Sequence, residues 1–279
     1  MIASLCYTSG RIEAAVGYSE AGQIVVGRSR DALPFGFEGV LGAIYLAIGQ
    51  PERCVEWCRA QLARGHDTNT ASRAFLVLAL VVAGSPDEAM VAANGLIDAA
   101  EASHNPNVLS WALLAYGCAF RDADPGLALE ALRRGLVIAQ DSGNRFNETS
   151  LAYMLSGLEA EHGDRMAALK YFTVAIHNHH ESGNTGMISA PLALLAVFLD
   201  RLGRCESAAT IGGFAAVNPM TAAALPELGT AIAHLRDVLG EATYESLARK
   251  GETMTTAAMA TYAFDQIDQA RAELNTVLK

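Results

Sequence analysis

Residues 71–83 are almost uninterruptedly apolar. Near the end of the chain Met259, Tyr262, Ala263, Ile267, Ala270, Leu274 and Leu278 recur at three- and four-residue spacing. The first pattern predicts a buried core helix. The second predicts an amphipathic helix over 254–278 whose apolar face must dock on a neighbour.

The interruptions between such runs are themselves periodic. Gly49-Gln50-Pro51, Gly84-Ser85-Pro86, Ala123-Asp124-Pro125, Gly163-Asp164-Arg165 and Gly203-Arg204-Cys205 follow one another at intervals of 35, 39, 40 and 40 residues. A period in this range marks a stack of helical hairpins. The loops that close the second helices keep the same rhythm, at Ser103, Ser142-Gly143-Asn144 and Ser182-Gly183-Asn184.

The second unit shows the local logic. Gly84 is placed to end one helix in the left-handed conformation, and Pro86 opens the next where its missing N–H costs nothing. Ser85 with Glu88 predicts a capping box. Five residues beyond the first residue of each turn stand Cys54, Ala89, Ala128, Ala168 and Ala208. A small side chain there in every unit lets helices approach closely.

After Pro219 the period breaks. Helices are expected over 226–239, ended by Gly240, over 241–250, ended by Gly251, and over 254–278. Before residue 35 a partial hairpin is expected, with residues 11–18 helical and 23–29 ambiguous. The organisation is therefore an N-terminal partial repeat over 1–34, five hairpins over 35–219 and a helical C-terminal cap over 220–279, which closes the stack. The expected fold class is all-α, a right-handed superhelix of helical hairpins.

These hairpins resemble tetratricopeptide repeats. Leu155-Ser156, Gly163, Ala168, Phe172 and Ala175 fit that register, as do Leu41-Gly42 and Gly49. Tyr116 stands where a small residue is expected. The tail from Leu225-Pro226-Glu227-Leu228 through Leu239-Gly240, Tyr244 and Ala248-Arg249-Lys250-Gly251, followed by Met254-Thr255-Thr256-Ala257, resembles the end of the helical region in large bacterial LuxR-type regulators. Residues 128–144 are similar to that family as well. The resemblance implies a module beside a nucleotide-binding ATPase, often preceded by a class III adenylate cyclase domain and commonly followed by a helix-turn-helix.

Composition narrows the function. The chain has 279 residues, is 51% apolar and carries a formal charge of −10, with 30 acidic against 20 basic residues. That is the wrong sign for gripping nucleic acid or an anionic membrane directly. The longest apolar run, 74–84, is too short to span a bilayer. Ile2 to Tyr7 is apolar, but no basic residue precedes it, so a secretory leader is not expected. Cys6, Cys54, Cys58, Cys118 and Cys205 are scattered in apolar stretches, as small hydrophobes in a reducing cytoplasm would be.

No catalytic motif stands out. A phosphate loop of the Gly-x-x-x-x-Gly-Lys-Ser/Thr type is missing, so no ATPase step maps onto any residue here. Gly36, Gly39 and Gly42 imitate a glycine-rich loop but lead into a helix without a preceding strand, and are expected to ease helix approach. His177, His179, His180 and Glu181 end a helix, where imidazoles suit the macrodipole better than they suit zinc. Cys54 and Cys58 share one helical face as packing residues. Asp122, Asp124 and Asp164 fit turns and caps. Neither a metal nor a cofactor is expected.

What remains is the concave face of the stack. By the tetratricopeptide register it would comprise Ser110, Leu113, Gly117, Arg121, Tyr153, Gly157, Glu161 and Arg201, a small, apolar and sparsely charged stripe. The expectation is a non-catalytic protein-interaction or sensor module of a cytoplasmic signalling or transcriptional regulator, receiving a protein partner or the regulator's own domains. The alternatives are a small ligand held in the groove, and self-association as a homodimer.

Overall fold

The computed structural model describes residues 49–63, 70–184, 186–218, 221–222 and 225–277, with scattered positions between 14 and 46. Most of residues 1–34 lies outside the described residues, as do Gly36 and Gly39, so the partial hairpin expected there does too.

Thirteen helices and no strand are found among the described residues. The chain divides into two compact units, Met1–Met154 and Leu155–Lys279. The first holds α1 (Pro51–Ala63), α2 (Thr70–Val82), α3 (Pro86–Ala93), α4 (Leu96–Ala102), α5 (Pro106–Phe120) and α6 (Pro125–Asp141). The boundary falls within α7 (Arg145–His162). The second unit continues with α8 (Arg165–Glu181), α9 (Ser189–Arg201), α10 (Cys205–Ala216), α11 (Pro226–Leu239), α12 (Glu241–Glu252) and α13 (Thr256–Val277).

All five periodic turns open a helix, at Pro51, Pro86, Pro125, Arg165 and Cys205. The small residues Cys54, Ala89, Ala128, Ala168 and Ala208 are fully buried. Gly84 has φ 74°, and the Gly84 and Ser85 amides donate to the carbonyls of Val81 and Leu80, which closes α2 as a Schellman end. Gly163 serves differently. The buried Glu159 carboxylate accepts the Asp164 N–H at 2.9 Å, and a Cβ on Gly163 would run into that carboxylate.

Caps follow the side chains that can reach. Asp124 accepts from the Leu127 N–H, Asp164 from Met166, and Asn105 from Asn107 and Val108. The capping box expected at Ser85 does not form, because Ser85 makes no side-chain cap bond and Glu88 turns to Arg59 at 2.9 Å. Pro86 at the first helical position carries that start instead.

One helix departs from the repeat. Where α6 and α8 run 17 residues each, the corresponding stretch before α5 is cut into α3 and α4 at Asn94-Gly95, with Gly95 at φ 69°. The Arg73 guanidinium covers the cut, donating to the carbonyls of Asn94 at 2.7 Å and Ala92 at 3.3 Å.

In the second unit α13 docks as its amphipathic pattern requires. Met259, Ala263, Ile267 and Ala270 are buried in the core that includes Phe172, Leu169 and Ala208. Arg271 donates to the Leu169 carbonyl at 3.1 Å and to Thr173 Oγ1 at 2.9 Å, while Arg204 reaches Gln266, Gln269 and Glu273.

Gly240 ends α11 at φ 77°, as expected. Gly251 does not end α12, which runs on to Glu252. It is buried at a helix crossing, where a Cβ would strike the Thr210 carbonyl of α10. Gly213 faces Ala248 at the same crossing, so this pair of helices meets backbone to backbone.

Candidate functional site

The stripe derived from the repeat register is not an open surface in the first unit. Ser110, Leu113 and Gly117 are buried. A Cβ on Gly117 would lie 2.5 Å from Leu132 Cγ, and one on Gly135 would lie 3.1 Å from Leu113 Cβ, so this face of α5 is the seam with α6. The correction has a simple cause. Successive helical residues are 100° apart, so a register error of one or two positions turns an exposed face into a buried one.

The other expected residues are spread out rather than gathered. Arg121 and Tyr153 are half-buried, with Arg121 Nε 3.8 Å from Asp122. In the second unit Gly157 and Glu161 are half-buried and Arg201 is exposed. A Cβ on Gly157 would sit 3.3 Å from Leu194, a tight approach to α9 that leaves this glycine as a packing position.

The first unit instead carries an aromatic ladder across its first helices. Phe75 on α2 and Trp111 on α5 have ring centroids 5.1 Å apart, and Trp111 and Phe146 on α7 follow at 5.7 Å. The ladder rises out of the core: Phe75 is buried, Trp111 half-buried, and Phe146 is 52% exposed. Gly42 begins it, since a Cβ there would press on the Phe75 ring at 3.1 Å, which fits the close approach expected of this glycine.

Beside the ladder lies a polar clasp. The buried Asn147 side chain donates to Ser110 Oγ at 2.7 Å, to Asn107 Oδ1 at 2.9 Å and to the Asn107 carbonyl at 3.1 Å. Asn144 Nδ2 donates to the same Asn107 Oδ1 at 2.8 Å. Asn107 remains exposed at the edge of this network. Burying an amide is tolerable because its hydrogens are engaged. An exposed phenyl ring, a half-buried indole and an amide-lined edge together make a surface with an apolar anchor and hydrogen-bonding groups next to it. Two signals in the sequence point here: Phe75, Trp111 and Phe146 recur at 36 and 35 residues, and Asn107 and Asn147 stand 40 apart.

The histidine cluster does not converge. His177 is exposed and His179 and His180 are half-buried, and among the described residues no group of three His, Cys, Asp or Glu side chains is arranged to hold a metal. Burial lowers the His179 pKa to about 4, so at neutral pH this ring is an uncharged packing element and not the solvated imidazole expected at a helix end. Cys54 and Cys58 are buried with sulfurs 3.9 Å apart. Burial pushes the Cys118 thiol up to about 12. No helix among the described residues is long and apolar enough to cross a membrane.

An array of tetratricopeptide-like hairpins is thus the class of protein that the fold defines. No protein-family model matches the chain, and no curated protein is significantly similar to it. Among solved structures it is similar to the crystal structure of a Rap protein complexed with Competence and Sporulation Factor. The TM-score is 0.59 at 10% sequence identity, covering 98% of this chain and 74% of that one. At that identity the likeness concerns the fold.

Proposed function

We propose that this chain is a non-catalytic protein-interaction module of a signalling or transcriptional regulator. The observation that carries the reading is the Phe75–Trp111–Phe146 ladder, which ends on a half-exposed ring beside the Asn107–Asn144 edge. Aromatic side chains set in well-packed surroundings are the usual energetic anchors of protein interfaces. A structurally similar Rap protein was crystallised with Competence and Sporulation Factor, which supports a bound-partner role for an array of this kind. The resemblance of the tail to LuxR-type regulators supplies the context: the module would report partner binding to an ATPase, cyclase or DNA-binding domain on the same or another chain.

The test is a photo-crosslinking residue placed at Phe146, compared with one at Val137, which is equally exposed on α6. The expected result is a discrete adduct with one protein in cells from position 146 and none from 137. Identical labelling from both positions, or none from 146, would remove the reading.

A further inference from the structure

We infer that the cut between α3 and α4 opens a binding cleft for a small organic cation carried on an apolar body. This site lies apart from Phe146 and does not depend on the interaction reading above.

Two departures from the repeat meet here. The second helix of the unit is broken at Asn94-Gly95, where its counterparts α6 and α8 are continuous. In the facing helix Tyr116 stands 40 residues before the buried Ser156, at the place where a small residue suits close packing. Interrupting a helix forfeits backbone hydrogen bonds, and Arg73 offsets part of that loss at the carbonyls of Ala92 and Asn94. The gap and the large ring line one cleft of about 580 Å³, a volume in the range of small-molecule sites.

The lining specifies the ligand's charge. One wall is the Tyr116–Phe120 pair, stacked with centroids 4.5 Å apart at 27°. Met90 and Ile97 add apolar surface. Asp98 is the single charged side chain of the lining, and neither its carboxylate nor the Tyr116 hydroxyl has a hydrogen-bond or ion-pair partner among the described residues. A position in the first turn of α4 accounts for an acid at 98, but not for aromatic faces beside it. A carboxylate and π faces attract the same species, an ammonium or guanidinium, and both disfavour anions. The apolar walls take the stem that carries the charge.

Phenethylammonium is the probe, titrated into the full chain with amide chemical shifts as the readout, against 2-phenylethanol as the neutral isostere. Shifts are expected at Gly95, Asp98, Tyr116 and Phe120. D98N, at an exposed position, is expected to lower the melting temperature by no more than a first-turn acid contributes and to weaken the ammonium about tenfold, the loss of one ion pair reinforced by a π contact. F120L keeps the apolar bulk and is expected to weaken the ammonium more than the alcohol. Equal affinity for alcohol and ammonium, an unchanged Kd in D98N, or shifts absent from this cleft would each overturn the assignment.

Discussion

Gly213 on α10 and Ala248 on α12 stand so close that a Cβ on Gly213 would enter the Ala248 backbone, and Gly251 meets Thr210 at the same crossing. Two substitutions separate a crossing from a helix stop. Gly213→Val is expected to cost about 1–3 kcal/mol through forced separation of the helices. Gly251→Asn would be tolerated at a left-handed helix end, but here it is expected to lower the urea midpoint comparably. An Asn variant as stable as the parent would show that the crossing is looser than this.

The bond between Glu159 and Asp164 predicts an ordering of variants. Glu159→Ala leaves the Asp164 N–H without its acceptor and opens space, for a loss of about 1–3 kcal/mol. Glu159→Gln keeps an oxygen in place and is expected to lose less. Urea denaturation of the two variants side by side checks the order, and equal losses would mean that the charge, which both variants remove, matters and the retained oxygen and volume do not.

His179 imposes a pH dependence whose sign is determined. Its folded pKa, about 4, lies below the usual 6.5, so unfolding takes up a proton between those values. Stability from this residue is present above pH 6.5 and is lost as the pH falls towards 4. His179→Gln is expected to flatten the slope of stability against pH in that window and leave it unchanged above pH 7, as measured by denaturant titration at each pH.

Arg271 ties α13 to α8 through the Leu169 carbonyl and Thr173. Arg271→Met keeps the apolar stem and removes those bonds. Faster hydrogen–deuterium exchange is expected in the C-terminal half of α13, with residues 256–263 still protected by Met259 and Ala263 in the core. Uniform loss of protection along the helix would contradict this.

Thiol labelling reads burial directly. Cys54, Cys58 and Cys118 are buried, and the Cys118 thiol is held neutral, whereas Cys205 is only half-buried. Among these four described cysteines, native alkylation followed by peptide mass spectrometry is expected to modify Cys205 before Cys54, Cys58 and Cys118, which react only on unfolding. Early modification of Cys118 would contradict its burial on α5.

Much of the fold is legible in the order of residues alone. The five turns, the small residue five places beyond each, and the docking face of α13 follow from apolar period and from glycine and proline chemistry, which act within a few residues. The candidate site is not legible in the same way. The repeat register puts Ser110, Leu113 and Gly117 on an open face, yet Leu113 and Gly117 lie in the α5–α6 seam and Ser110 is buried beneath Asn147 of α7, because such a register locates hairpins well but resolves a helix face only to within a residue or two. Phe75, Trp111 and Phe146 come together through contacts between separate helices, and their near-period spacing acquires meaning only once those helices are in place.

The chain's own pattern therefore decided where helices begin and end and that they pair as hairpins, since these are local matters of capping, φ angles and apolar spacing. Tertiary packing decided the rest. Gly251 became a crossing residue because another helix occupies the space its side chain would need, the His179 pKa is held down because neighbours exclude water, and the Asn94-Gly95 cut became a cleft because Tyr116 from another helix faces it. Each depends on distances between residues far apart in sequence, and no local rule encodes them.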